Sequence, residues 1–392
     1  MKKLFIATLL LLTLKVPGKF PVEKLEHDDM LKDVMAVELS SSKAAILMDV
    51  ATNEVLFEYN AHEKRAPASM TKIMTMKLVL DAINDDKFTY DEMLTTSDYA
   101  SSMGGSQIYL SPNEQMKVKD LFKSMVIASA NDATVVFAEK ISGTEKDFAK
   151  LMNHTAIKLG CKNTNFSNAT GLPTENHYTT CYDMALIACS LLKDYEEEVI
   201  PYSSLYESYV REDTDNPFWL VNTNKLLKAN LGIDGLKTGW TNDAGYCITT
   251  TMKKDNMRLV CVVMGAENPT KRNQDAVKVL NYGFSNYILD EITEKGTIIE
   301  IDSDISLDPS KYHIVTSEPV YNLRYNGEKN ADITQEVEIY RDKIRNLETK
   351  KIGVLRTYIN GNLMYKTDLE LVEQPKKASF VNLLISIFKS IF

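Results

Sequence analysis

Apolar, strand-like runs stand at the two ends of a long segment whose middle reads as helix, and that separation constrains the fold more than any other feature of the chain. At the near end, residues 44–58 (AAILMDVATNEVLFE) hold two apolar runs around Ala51-Thr52-Asn53, a hairpin signal. At the far end, Gly245 to Met252 (GYCITTTM) and Met257 to Met264 (MRLVCVVM) flank the polar turn Lys253-Lys254-Asp255-Asn256, and another short strand ends near Lys237. Between these groups, Thr71 to Ile83 is apolar nearly all round, Val118 to Ile127 is amphipathic, and Asn131 to Ile141 and Tyr182 to Leu192 follow the same period. One sheet gathered from both ends of a segment, with helices inserted between, is an α+β design in which helices flank an antiparallel sheet.

After a helical stretch over Arg272 to Leu289, the pattern changes to short alternating strands and polar turns, with Asn360-Gly361 between VLRTYI and NLMYKT as the clearest hairpin turn. At roughly 150 residues per domain, 392 residues make room for two or three domains. The expected division is a helix-inserted domain over 35–289, a linker near Asp290 to Gly296, and a small β-rich domain over 296–374.

The two ends of the chain differ from both domains. Met1-Lys2-Lys3 followed by the apolar run Leu4 to Leu14 reads as an export signal or N-terminal anchor over 1–20, although Lys15-Val16-Pro17-Gly18-Lys19 offers no A-x-A-like cleavage site. Residues 378–392 place Asn382, Ser386, Lys389 and Ser390 on one side of a helix and large apolar side chains around most of the rest. Such a helix reaches about 22 Å, short of the ~30 Å of a hydrocarbon core. It is suited to lie in the headgroup plane of a membrane surface, with Lys376 and Lys377 beside anionic lipid.

Composition excludes other classes. Forty-five basic against fifty-four acidic residues leave a net charge of -9, which disfavours a nucleic-acid partner. The five cysteines (Cys161, Cys181, Cys189, Cys247, Cys261) form no C-x-x-C pair and are expected as buried thiols, with a Cys161–Cys181 bridge as the alternative in an oxidising space. No histidine falls in H-E-x-x-H spacing, so neither a metal nor another cofactor is called for.

Three short motifs carry chemistry. Ser69-Met70-Thr71-Lys72 is an S-x-x-K opening the apolar helix, which puts serine and lysine on one face at the positive dipole end. A serine hydroxyl is a weak nucleophile unless a neighbouring base assists it. The spacing alone is common, since Ser40/Lys43, Ser190/Lys193 and Ser386/Lys389 share it. Ser129-Ala130-Asn131 sits on a connection between two helix patterns, where an N-cap is the competing explanation and Ser111-Pro112-Asn113 matches equally well. Lys237-Thr238-Gly239 lies on a strand and is followed by Trp240; the glycine permits close approach of a substrate backbone. Lysine and threonine alternate faces on a regular strand, so a twist or bulge is expected there.

Taken together and in this order, the chain resembles the penicillin-binding protein and serine β-lactamase superfamily, marked by S-x-x-K, S-x-N and K-T-G. It is most similar to the low-molecular-mass penicillin-binding proteins of the D-Ala-D-Ala carboxypeptidase type, and the likeness extends over nearly the whole chain. The resemblance implies a β-lactamase/transpeptidase-like fold and an acyl-enzyme on Ser69, with Lys72 as base and Ser129 as proton relay. It further implies that Asn131 binds the substrate amide, that Thr238 and Arg272 take the terminal carboxylate, that Lys237 lowers the Lys72 pKa through like charge and is the other possible participant beside Ser129 in the proton relay, and that the Ser69 and Trp240 N–H groups form an oxyanion hole beside Gly239. The implied substrate is the peptidoglycan pentapeptide stem, β-lactams are the implied inhibitors, and the implied location is the outer face of the cytoplasmic membrane. By sequence alone Arg272 reads as solvated.

The chain departs from the family pattern at Ala130, where many such carboxypeptidases carry glycine, and at Trp240, an unusually large residue after K-T-G. A β-lactamase is the competing enzyme, for which Glu175 is the nearest candidate deacylating glutamate. A wall-binding morphogenetic protein without turnover is the non-enzyme alternative.

Overall fold

A computed structural model describes residues 37–299, 313–328, 331–340 and 350–372. The expected export signal (1–20) and terminal helix (378–392) lie outside these residues. Among the described residues no helix is long and apolar enough to cross a membrane. Residues 36–288 form one compact unit, and the chain from Leu289 onward belongs to another.

The first unit runs β1 (Ala44–Asp49), β2 (Val55–Tyr59), a 3-10 turn (Ala68–Thr71), α1 (Lys72–Asn84), β3 (Met93–Thr95), α2 (Asp98–Ser101), β4 (Gln115–Lys117), α3 (Val118–Ile127), α4 (Asn131–Ser142), α5 (Glu145–Lys158), α6 (Cys181–Ser203), β5 (Glu207–Val210), β6 (Phe218–Val221), β7 (Ile233–Thr241), β8 (Gly245–Lys254), β9 (Met257–Ala266) and α7 (Pro269–Asn286). Its main sheet is antiparallel in the order β2-β1-β9-β8-β7, so the strands from the two ends of the segment meet where β1 pairs with β9.

Burial explains why β1 and β9 read as unbroken apolar runs: both are covered on two faces. Ile46, Met48, Val260, Val262 and Met264 join the large core cluster with the inserted helices. Leu47 and Leu259 point the other way, where a β-carbon on Gly283 of α7 would come within 2.5 Å and 2.6 Å of them. Within α1, Ile73, Met74, Met76 and Val79 are all fully buried, as an all-round apolar helix requires. Its Lys77 escapes the cost of burial by pairing with Asp81 at 3.0 Å and Asp194 at 2.9 Å.

Several elements differ from the sequence reading. The strand expected to end near Lys237 continues to Thr241 and carries the whole K-T-G. Helix α6 runs past Leu192 to Ser203 through a non-helical Tyr195, beyond the reach of the apolar period. Helix α5, invisible to that period, is started by Thr144, whose side chain accepts from the Asp147 N–H. Helix α7 stops at Asn286, and Tyr287–Thr293, placed partly in a linker by sequence, forms β10. Its aromatic and β-branched residues suit a strand, and it pairs with β13 (Val320–Tyr325). All five cysteines are buried free thiols, so the alternative Cys161–Cys181 bridge is not formed.

In the second unit, β11 (Ile298–Ile299), β12 (Ile314–Thr316), β14 (Ile333–Ile339), β15 (Lys351–Ile359) and β16 (Asn362–Leu371) build a sheet in the order β11-β12-β16-β15-β14. Asn360 (φ 51°) and Gly361 (φ 77°) supply the left-handed pair demanded by the β15–β16 hairpin. Ile299, Ile314, Ile352, Leu355 and Leu369 close a small core of its own.

Candidate active site

Ser69 lies in the 3-10 turn that leads into α1, and Lys72 is the first residue of the helix. The chain enters this turn through Ala68 at φ 48°, a left-handed conformation that is costly for alanine and that local structures tolerate mainly at functional sites. Lys72 Nζ donates to Ser69 Oγ at 3.2 Å and to the Thr170 carbonyl at 2.7 Å. The lysine is fully buried. Burial first, and then the positive charge of Lys237, hold its pKa well below the ordinary lysine value, against weaker opposing pulls from Glu145 and Asp132. A desolvated amine of this kind is able to accept a proton from the neighbouring hydroxyl.

Ser129 and Asn131 come from the three-residue connection between α3 and α4 and from the first turn of α4. Ser129 is held at φ 62°. The N-cap of α4 is Ala130, which makes no side-chain capping bond, so capping does not account for Ser129. Ala130 has φ -60° and is fully buried, so the β-carbon that distinguishes it from glycine brings no backbone strain. Asn131 is oriented by its Nδ2 donating to the Gly104 carbonyl and its backbone N–H to the Ser106 carbonyl, both at 2.7 Å. Among the described residues, the buried Ser129 Oγ and Asn131 Oδ1 find no hydrogen-bond partner, and a buried polar atom left so is usually waiting for a ligand or solvent.

Strand β7 brings the third motif. The expected bulge is not at K-T-G: the β7–β8 register shifts between Ile233 and Gly235 and runs regularly from there to Thr241. Alternation therefore places Lys237 and Gly239 on one face of β7 and Thr238 on the other, and β7 is the edge strand of the sheet. A β-carbon on Gly239 would stand 2.8 Å from the Pro67 carbonyl oxygen and 3.1 Å from the Ser69 amide nitrogen, so only glycine lets the strand lie this close to Ser69. Lys237 is 1% exposed, and burial followed by Arg272 pushes its pKa down to about 7. Thr238 Oγ1 donates to Thr223 Oγ1 at 2.7 Å. Trp240 is exposed, and its ring leans on Tyr246 at 5.9 Å.

Arg272 corrects the sequence reading: it is 4% exposed rather than solvated, because it lies in the first turn of α7 against the sheet. Burial pushes its pKa down to about 10, and its guanidinium donates to Asn273 Oδ1 at 3.0 Å and 2.8 Å. Lys237 and Arg272 are thus buried basic groups, and among the described residues neither forms a salt bridge with a carboxylate. A buried positive charge without an anion is costly, and a carboxylate-bearing ligand offsets that cost.

Sequence reasoning missed the loop that backs Lys72. Gly171, at φ +82°, docks so closely that a β-carbon would fall 1.9 Å from the Ala68 carbonyl oxygen. His177 fastens the same loop: Ser167 N–H donates to Nδ1 at 3.0 Å, which leaves the proton on Nε2 for Thr71 Oγ1 at 2.9 Å, and Thr71 donates onward to the Ala68 carbonyl at 2.8 Å. Thr170 acts through its backbone carbonyl, for which no side-chain motif exists. Glu175 is exposed on this loop, and only its carbonyl is engaged, by Ser167 Oγ at 3.1 Å. The competing serine spacings are elsewhere: Ser40 N–H is bound by Asp275, Ser190 Oγ by Asp194, and Ser111 N–H by Glu114.

A profile for the D-alanyl-D-alanine carboxypeptidase family matches residues 32–268, a span that contains all three motifs. The chain belongs to this family. It is 42% identical over 347 residues to the D-alanyl-D-alanine carboxypeptidase DacF of Bacillus subtilis, with 88% of each chain covered. Among solved structures it is similar to penicillin-binding protein 5 of Haemophilus influenzae, with a TM-score of 0.68, 28% identity, and 88% of this chain and 100% of that one covered. It is also similar to penicillin-binding protein D2 of Listeria monocytogenes in its ampicillin-bound form, with a TM-score of 0.57, 33% identity, and 64% of this chain and 100% of that one covered. The carboxypeptidase fold, an antiparallel sheet with inserted helices followed by a β-rich C-terminal unit, is shared with the Haemophilus influenzae protein.

Proposed function

We propose that this carboxypeptidase removes the terminal D-alanine from peptidoglycan pentapeptide stems through an acyl-enzyme on Ser69. The observation that carries the reading is the Lys72 amine, fully buried, pushed toward its neutral form and 3.2 Å from Ser69 Oγ. Lys72 accepts the hydroxyl proton while Ser69 Oγ bonds to the carbonyl carbon of the penultimate D-alanine. The carbon–nitrogen bond to the terminal D-alanine then breaks as Lys72 returns that proton, through Ser129, to the leaving nitrogen. Water attacks the ester while Lys72 takes its proton, and the ester carbon–oxygen bond breaks as that proton passes to Ser69 Oγ.

The N–H groups of Ser69 and Trp240 face the developing oxyanion; loss of one such donor typically costs about 2.7 to 4 kcal/mol in barrier. Asn131 binds the substrate amide. Lys237, Thr238 and Arg272 receive the terminal carboxylate, for which buried, carboxylate-free cations are suited. β-Lactams acylate the same serine in this reading, in keeping with the ampicillin and cefotaxime complexes of the Listeria monocytogenes relative. The enzyme works in the cell envelope, and residues 378–392 hold it to the outer face of the cytoplasmic membrane.

Release of D-alanine from a pentapeptide ending in D-Ala-D-Ala tests the reaction, with Ser69→Ala as the control. Labelling with a fluorescent penicillin followed by peptide mapping should place the adduct on Ser69. Release equal to that of the control, or an adduct elsewhere, removes the reading.

A further inference from the structure

Ile108 and Leu110 are buried at 0% and 3% exposure, while Tyr109 between them is 68% exposed and sits at φ 56°. Left-handed backbone suits glycine or asparagine, and an aromatic residue held there is an outlier that the surrounding structure has to enforce. Asp132 enforces it: its fully buried carboxylate accepts from the Ile108 N–H at 3.1 Å and the Leu110 N–H at 3.0 Å. Asp132 follows Asn131 directly, and Asn131 is itself bonded to Gly104 and Ser106 of the same loop. Arg211, just beyond β5, donates to the Ile108 carbonyl at 2.9 Å, and Phe218 of β6 meets the Tyr109 ring edge-on at 6.0 Å. The loop is therefore laced to the Asn131 segment on one side and to the β5–β6 hairpin on the other, and the large apolar side chain it exposes is the Tyr109 ring.

We propose that Tyr109 is a specificity-determining residue of this site, forming the wall beside Asn131 and packing against the portion of a stem peptide that lies N-terminal to the scissile bond. This rests on the carboxypeptidase reading above. Packing of the ring on the protein's own core does not explain its placement, since most of it faces solvent. An aromatic side chain supplies a large, stiff apolar surface with little rotamer freedom to lose, which suits an extended peptide passing over it.

The test compares kcat and KM for two substrates, an acylated pentapeptide ending in D-Ala-D-Ala and the short N-acetyl-D-Ala-D-Ala. Tyr109→Ala and Tyr109→Asn should raise KM for the pentapeptide about tenfold, the scale of one lost apolar contact. Both should leave the short substrate and penicillin labelling of Ser69 within about twofold, and Tyr109→Phe should keep pentapeptide KM. Equal losses on both substrates, or no change on either, would overturn the proposal by making Tyr109 structural or idle. If the unaltered chain released D-alanine from neither substrate, the carboxypeptidase reading itself would fall and this proposal with it.

Discussion

Gly239 and the Ser69 amide face each other across the cleft at a separation that leaves no room for a methyl group: a β-carbon on Gly239 would be 3.1 Å from the Ser69 nitrogen and 3.0 Å from the Ala68 β-carbon. Gly239 is not in a left-handed conformation, so the constraint is purely one of space. Gly239→Ala is expected to push β7 away from Ser69 and, in the proposed mechanism, to misalign the Ser69 and Trp240 N–H groups. A displacement near 1 Å costs on the order of 10²-fold in rate. Acylation by a fluorescent penicillin should slow by about that factor; an unchanged acylation rate would refute the close approach.

The second prediction concerns the charge on Lys237. Its pKa of about 7 means that the free enzyme loses this cation as pH rises through neutrality. If Lys237 meets the substrate carboxylate, kcat/KM should fall above pH about 7, since that ratio reports ionisations of the free enzyme. Arginine keeps its charge throughout this range. Lys237→Arg should lower the rate but abolish the falling limb between pH 7 and about 9, as measured by D-alanine release; persistence of the limb would assign it to another group.

Lys237 also bears on stability, with an opposite sign from an ordinary ion pair. Because its folded pKa lies below the unfolded value of 10.5, the unfolded chain binds more protons than the native one between about pH 7 and 10.5, and stability rises with pH over that window. Lys237→Met, which keeps the bulk and removes the buried charge, should stabilise the protein at pH 6 by about 1 to 4 kcal/mol. The gain should shrink by pH 10. Urea unfolding at the two values measures it, and destabilisation at pH 6 would contradict the reading of this lysine as an uncompensated buried cation.

His177 gives the fold an acid limit. Burial lowers its pKa from 6.5 to about 4, so the stability it carries is complete above pH 6.5 and is lost as pH falls toward 4. At 1.36 kcal/mol per pH unit, full loss approaches about 3 kcal/mol. Penicillin acylation should decline over the same interval, since the loop fastened by His177 also carries the Thr170 carbonyl that holds Lys72. His177→Gln should flatten the acid dependence of unfolding; a profile unchanged from the parent would place the acid sensitivity elsewhere.

Much of this was legible in the residues. The hairpin at Ala51-Thr52-Asn53, the β8–β9 pair and the helices at Thr71, Val118 and Asn131 follow from local periodicity, because burial of one face or of the whole element writes itself into the spacing of apolar side chains. Misreadings arose where local pattern and tertiary environment disagree. Arg272 sits in a polar run, Pro269-Thr270-Lys271-Arg272, yet is covered by packing against the sheet. K-T-G reads as a strand end because Gly239 is a weak strand former and the turn residues Asn242-Asp243 follow, yet pairing of Thr238 with Ile248 and Gly239 with Cys247 extends the strand through them.

The amino-acid order alone determined the β1–β2 hairpin, the β8–β9 pair and the helices α1, α3 and α4, and that a serine and a lysine share one helical face, since these depend on interactions within a few residues. Tertiary structure alone decided that Lys72 is desolvated beside Lys237, that a carbonyl from Thr170 steadies it, and that an edge strand some 170 residues downstream closes on Ser69. Acidity and close approach depend on what surrounds an atom, and those surroundings come from segments with no sequence neighbours in common.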